Sequence, residues 1–215
     1  MAARRAGLRE QKKQATREAL RQAALRLALE RGPENVRVDD IAEAAGVSPR
    51  TYNNYFSSRE QAIVSAVTAE REARIAAAVA DHPAGVRLAD VVVEAVVAQY
   101  TDAGDPDHDA MPLITTSPTL REAFLHAATA IEHPLTDAIA RRLGDTDPHT
   151  PRVLAASVTA AVRVALERWL RPAATSPATG GLVVPSGALP DLLRAALAPL
   201  VPALDAAEER YRRHR

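Results

Sequence analysis

The sequence predicts an all-α protein, with an N-terminal three-helix unit joined by a fourth helix to a larger helical domain. Three observations carry this. Apolar residues recur at spacings of three and four along most of the chain. No stretch alternates apolar with polar for long enough to make a strand, and aromatics are only 3% of the 215 residues. A 47% apolar content is ample for a core, and no internal repeat is present. The boundary is placed near residue 64, giving a basic arm and helical unit over 1–64 and a helical domain over 65–215.

The first helix is expected from about Thr16 to Arg31, on the spacing of Ala19, Leu20, Ala23 and Leu27, and is stopped by Gly32-Pro33. A short second helix follows from about Asp39 to Ala45 and ends at Gly46. The third is expected from Ser48-Pro49 to about Phe56, because Ser48 is a good N-cap and Pro49 suits the first helical position. A fourth begins after Ser57 or Ser58 and runs to about Ala80, where Asp81-His82-Pro83 breaks it. Leu88–Thr101 is an apolar helix and Asp102–Asp109 a polar loop. Pro118–Leu143 reads as one long helix, with a kink or a short break expected at His133-Pro134. Arg152–Leu170 is apolar almost all round. Residues 172–187 are rich in Pro, Gly, Ser and Thr and form a flexible connection. A last helix starts at about Leu189, is bent or interrupted by Pro199 and Pro202, and ends in Arg210-Tyr-Arg-Arg-His-Arg.

Composition narrows the function. The absence of cysteine excludes disulfides, thiolate metal sites and cysteine redox switches. No run of 18 apolar residues could span a membrane, and no apolar segment follows Met1-Ala-Ala-Arg-Arg, so no signal peptide is expected. A cytoplasmic, nucleoid-associated protein fits. The zero net charge hides an asymmetry: residues 1–31 carry nine Lys/Arg against three acids, or +6. A basic end on an acidic body suggests an anionic partner such as nucleic acid.

The segment Ile41-Ala-Glu-Ala-Ala-Gly-Val-Ser-Pro-Arg-Thr-Tyr-Asn-Asn-Tyr-Phe56 sharpens that suggestion. Gly46 supplies the freedom a tight turn needs, and Ala42 and Ala45 allow two helices to approach. Ile41, Val47, Tyr52 and Phe56 form the inward side. Arg50, Thr51, Asn53, Asn54 and Tyr55 are left outward, and such side chains hydrogen-bond to base edges and phosphates. The pattern is a helix-turn-helix.

Residues 16–64 resemble the DNA-binding domain of TetR-type transcriptional regulators. The matching elements are Glu30-Arg-Gly32, then Val38-Asp-Asp-Ile-Ala-Glu-Ala-Ala-Gly-Val-Ser-Pro-Arg-Thr, then Tyr55-Phe56-Ser-Ser-Arg-Glu60. The resemblance implies a base-contacting face of Pro49, Arg50, Thr51, Asn53, Asn54 and Tyr55 behind the Ser48 cap, with Arg59 gripping a phosphate. Two departures stand out. Asn53 and Asn54 replace aromatics common in relatives, and Arg37 stands where Thr or Ser usually caps the second helix and touches a phosphate. Arg37 can reach a phosphate only by charge. The arm bearing Arg4, Arg5, Lys12, Lys13 and Arg17 is expected to add salt-sensitive affinity, with the minor groove as one route.

The resemblance further implies a homodimer paired through its last two long helices, Arg152–Leu170 and Leu189–Leu204. Such a dimer sets two recognition helices roughly 34–36 Å apart on a near-palindromic operator. It also implies an effector pocket among the middle helices, with Tyr100, Met111, Thr116, Phe124, His126, Thr129, Arg163 and Trp169 as candidates. Arg163 interrupts an apolar run and can pair either with Glu167 at i+4 or with an acidic effector. The function expected is a ligand-responsive repressor with no cofactor, metal or catalytic residues. The alternatives are a helical protein-interaction adaptor and a metal-dependent enzyme. For the latter, Asp105-Pro-Asp-His-Asp109 has ligand-like chemistry without EF-hand spacing, and His126 and His133 are seven apart; no HExxH, GxSxG, P-loop or GxGxxG is present.

Overall fold

The computed structural model describes residues 2–83, 85–101, 110–144, 147–171 and 188–213, with the side chains of residues 2–6, Glu70 and Thr101 outside the description. The predicted loops over 102–109, with its Asp105–Asp109 cluster, and 172–187 lie outside the described residues. Among those described, every regular element is helical, as the periodicity predicted.

The helices are α1 (Ala2–Arg31), α2 (Val38–Ala44), α3 (Pro49–Tyr52), α4 (Arg59–Asp81), α5 (Leu88–Thr101) and α6 (Met111–Thr116). They continue as α7 (Pro118–Ala127), α8 (Glu132–Leu143), α9 (His149–Trp169), α10 (Leu189–Leu197) and α11 (Val201–Arg213). Three of these sharpen the sequence reading. First, α1 extends back to Ala2 through the segment read as an arm. Periodicity could not reveal this, because residues 7–15 are all exposed and no apolar face marks them.

Second, Pro118–Leu143 is interrupted at a 3₁₀ turn, Ala128–Ile131, ahead of His133-Pro134. Proline lacks an N–H and its ring crowds the carbonyl four residues back, so continuous α-helix fails upstream of Pro134. Starting α8 at Glu132 puts Pro134 in a first turn, where no intrahelical N–H is required. Third, the last helix divides into α10, a 3₁₀ turn (Ala198–Leu200) and α11, which places Pro199 and Pro202 at second positions of their segments. Here the predicted interruption is found.

The chain forms two compact units. Unit 1 comprises 1–68 and 109–127; unit 2 comprises 69–108 and 128–215, so α4 contributes residues to both. In unit 1, α1 packs on α2 and on the 3₁₀ turn Pro33–Asn35, and α2 packs on α3. Leu20, Ala24, Leu27, Val36, Ile41, Tyr52, Phe56 and Ile63 are all buried there. In unit 2, α9 packs on α8 and α10, while α5 packs on α10 and α11. Its core holds Leu88, Val92, Val96, Leu135, Ile139, Val158, Val162, Leu166, Leu193 and Leu197.

Candidate nucleic-acid interface

The turn between α2 and α3 is built from backbone hydrogen bonds. Gly46 N–H donates to Glu43 O at 3.0 Å and Val47 N–H to Ala42 O at 2.9 Å, the paired closure of a Schellman motif. That closure needs a left-handed residue, and Gly46 supplies it at φ 68°. Val47 is half-buried in the bend. The chain then enters α3 through Ser48, whose extended backbone (ψ 155°) lets its Oγ accept from Thr51 N–H at 3.2 Å. Ser48 Oγ also lies 2.9 Å from Thr51 Oγ1, which fixes both hydroxyls.

The recognition segment is shorter as an α-helix than the sequence suggested. Regular α3 ends at Tyr52, and residues 53–55 continue as a turn rather than reaching Phe56 as helix. Asn54 N–H bonds Thr51 O at 3.1 Å and Tyr55 N–H bonds Tyr52 O at 2.8 Å, so the spacing tightens from i−4 to i−3. Phe56 N–H then returns to Tyr52 O at 3.1 Å. The tightening lets buried Tyr52 and Phe56 meet, with ring centroids 5.8 Å apart. It leaves Pro49, Arg50, Asn53 and Asn54 exposed, with Thr51 and Tyr55 half-buried.

Tyr52 is the anchor. Its hydroxyl donates to Ser58 O at 2.8 Å, tying the recognition turn to the start of α4. Burial, with a smaller contribution from Glu60, pushes the phenol well above its ordinary value, so it remains a donor. Ser58 Oγ accepts from Gln61 N–H at 3.1 Å, and Gln61 Oε1 accepts from Ser57 N–H at 2.7 Å. Reciprocal side-chain bonds of this kind supply the orphan groups of a helix start.

Arg59 is committed inside the unit. Its Nη1 donates to Glu34 O at 3.0 Å and Val36 O at 2.8 Å, while Nε donates to Glu60 Oε1 at 2.8 Å. Burial works to raise the Glu60 carboxyl, but the bonds from Arg59, its own backbone and Ser58 outweigh it and hold the carboxyl low. Arg37, exposed, offers no cap to α2. Instead Asp40 Oδ2 accepts from Arg37 N–H at 3.0 Å, half of a capping arrangement made by the acid alone. At the other side of the unit, the Arg17 guanidinium lies 5.6 Å from the centroid of the Phe56 ring. Sequence reasoning assigned Arg17 to the arm and missed that it seats α1 against the recognition turn.

The effector candidates divide between the two units. Met111, Thr116, Phe124 and His126 fall in unit 1, whereas Tyr100, Thr129, Arg163 and Trp169 fall in unit 2. Phe124 is buried; Thr116, His126, Thr129 and Arg163 are exposed; Met111, Tyr100 and Trp169 are half-buried. Arg163 Nε bonds Glu167 Oε1 at 2.7 Å on the surface of α9, which satisfies it without an effector. A group that the sequence reading overlooked lies beside Tyr100. The guanidinium of buried Arg71 lies 4.6 Å from the Tyr100 ring centroid, and its Nε donates to Gln99 O at 3.2 Å. Burial is the chief reason the Tyr100 phenol is raised. A cavity of about 620 Å³ lies between α1 and α2, lined by residues such as Ala19, Leu25, Leu29 and Ala44 and by none of the candidates. His126 and His133 lie on α7 and α8, so no single helical face carries both. Among the described residues, no group of three or more His, Cys, Asp or Glu side chains is placed to hold a metal. No helix of the described chain is long and apolar enough to cross a membrane.

Comparison with known proteins places this geometry. Residues 20–66 match the family model for bacterial regulatory proteins of the tetR family, and residues 86–205 match the MftR C-terminal domain model. The HTH-type transcriptional regulator TcmR of Streptomyces glaucescens is 32% identical over 174 residues, which is 76% of each protein. A solved structure from Rhodococcus sp., assigned to the TetR-family transcriptional regulators, aligns over 89% of this chain and 99% of its own at 20% identity and a TM-score of 0.45. With a capped helix-turn-helix inside the matched N-terminal segment and a relative matched over three-quarters of both proteins, the chain belongs to the tetR family of bacterial DNA-binding transcriptional regulators.

Proposed function

We infer that the chain works as a homodimeric, ligand-responsive repressor on a near-palindromic operator. The observation that carries base reading is the set Arg50, Asn53 and Asn54, exposed together on a turn whose backbone is fixed by Ser48 and Tyr52. A guanidinium can bond guanine O6 and N7, and a carboxamide can bond adenine N6 and N7, each pairing contributing about 1–3 kcal/mol of discrimination. Replacing Arg50 with Ala is expected to relax preference at one base pair per half-site by about 5- to 150-fold, leaving affinity for unrelated DNA nearly unchanged. Selection of bound fragments from genomic DNA, followed by titration of single-base variants, measures this. Undiminished discrimination in the variant would remove Arg50 from the base-reading face.

Dimerisation is supported by α9. Val153 is 62% and Val164 59% exposed, and with Ser157 and Ala160 they fall at i, i+4, i+7 and i+11. This is the seam spacing of paired helices, and two exposed valines on it are costly in water. Sedimentation is expected to give twice the chain mass of 23.0 kDa for the native protein. Val164→Asp is expected to shift it toward one chain and to cost at least about tenfold in operator affinity, since both half-sites must be engaged together. A native protein that sediments as a single chain at micromolar concentration would overturn the dimer.

In the proposed response, an effector in the C-terminal helices favours a conformation in which the two recognition turns no longer match the half-site spacing. The half-buried Tyr100 and Trp169 are the candidates that unit 2 leaves partly covered. Helix α4, with residues in both units, is the element positioned to carry the change.

A further inference from the structure

The first half of α1 has no evident purpose within its own unit. Residues 7–15 are exposed without exception, and Leu8 is 53% exposed. Helix Ala2–Ala15 would extend roughly 20 Å at the usual rise. Its charges are arranged against its own stability. The first turn contains no acid, so no carboxylate offsets the positive end of the helix dipole there. Arg9, Lys13 and Arg17 then repeat at i, i+4 and i+8, two successive like-charge pairs on one row of the helix. The one acid of this stretch, Glu10, is engaged by Gln14 at 3.3 Å.

We propose that this row is a docking ridge for the phosphate backbone of double-stranded DNA flanking the site read by α3. The proposal rests on the DNA-binding reading and adds a second contact surface to it. Direction comes from Arg17, the last member of the row, whose guanidinium lies over Phe56 at the end of the recognition turn. Lys13 and Arg9 lie one and two helical turns further out, each stepped about 40° around the axis from the last. The ridge therefore begins at the DNA-reading segment and continues away from it. Helical form also selects the groove. A helix with side chains is about 10–12 Å across and the minor groove about 6 Å wide, so this helix does not enter the minor groove, and the major groove, which does admit a helix, is taken at this site by α3. What remains is contact with phosphates along the duplex surface, where the cations are matched by opposite charge and the repulsion within the row is relieved.

The test is the salt dependence of binding to a random-sequence 30-base-pair duplex, using the full chain and the double variant Arg9→Gln/Lys13→Gln. Each phosphate that the variant fails to neutralise lowers the slope of log K against log salt by about 0.9, so a drop of roughly 1.8 is expected. Far-UV circular dichroism of both proteins without DNA shows whether the variant keeps its fold, and Lys13→Arg is expected to restore the slope step that Lys13→Gln removes. A slope unchanged in the double variant, with salt-dependent binding intact in the native chain, would overturn the ridge and leave the DNA-binding reading standing. Absence of salt-dependent binding by the native chain would overturn both.

Discussion

Tyr52→Ala is expected to abolish operator binding by unfolding the recognition turn, although Tyr52 never reaches the DNA. The side chain is 0% exposed, packs against Phe56 and donates to Ser58 O. Truncating a buried aromatic to alanine costs about 3–5 kcal/mol, because both transfer energy and the cavity left behind oppose folding. That is a large part of the roughly 5–15 kcal/mol typical of a whole domain. Tyr52→Phe separates the two contributions. It keeps the packing and removes one hydrogen bond, leaving Ser58 O without its phenol donor, at about 1–2 kcal/mol. Urea denaturation followed by far-UV circular dichroism gives both values. The role assigned to Tyr52 fails if the alanine variant retains its midpoint and its affinity.

The same residue shows what the sequence could and could not disclose. Inward placement of Ile41, Tyr52 and Phe56 was legible because local chemistry dictates it. Gly46 must take a positive φ, Ser48 must cap, Pro49 must start a helix, and the register of everything through Phe56 follows. The length of α3 was not legible. Residues 53–55 tighten to i−3 bonding so that Tyr52 and Phe56 can meet, which is a demand of packing and not of propensity. Arg59 was legible only in part. The resemblance implied a phosphate contact for it, while its bonds to the carbonyls of Glu34 and Val36, some two dozen residues back, belong to tertiary packing that no local pattern shows. The helical state of residues 2–15 left no apolar period to detect. The effector candidates were chosen as polar or aromatic interruptions of apolar helices. Burial in the fold then separated Phe124 from exposed His126 and Arg163, a distinction that spacing alone does not make.

Glu208→Ala is expected to lower the stability of unit 2 by about 3 kcal/mol, the second largest single effect. Glu208 lies on α11 and is buried, yet it is the acceptor for the first N–H of α5: Leu88 N–H to Oε2 is 3.0 Å. The other carboxylate oxygen faces Arg212 at 3.3 Å and Arg142 at 3.8 Å. Arg142 in turn donates to the carbonyls of His82, Pro83 and Val86, in the connection between α4 and α5. One carboxylate thus joins α5, α8 and α11, which the sequence spreads over 120 residues between Leu88 and Glu208. Removing it strands a buried N–H, at about 1–3 kcal/mol, and takes a counter-charge from Arg142. At 3.8 Å that pair is long for a salt bridge, and Arg142 keeps its acceptors on His82, Pro83 and Val86, so the pair adds little and the upper end of the N–H range sets the total at about 3 kcal/mol. Glu208→Gln keeps an oxygen for Leu88 and loses only the charge, so it is expected to fall between native and alanine. Denaturant midpoints of the three proteins order them. An alanine variant within about 0.5 kcal/mol of native, the range of an ordinary surface change, would mean that the carboxylate is solvated rather than structural.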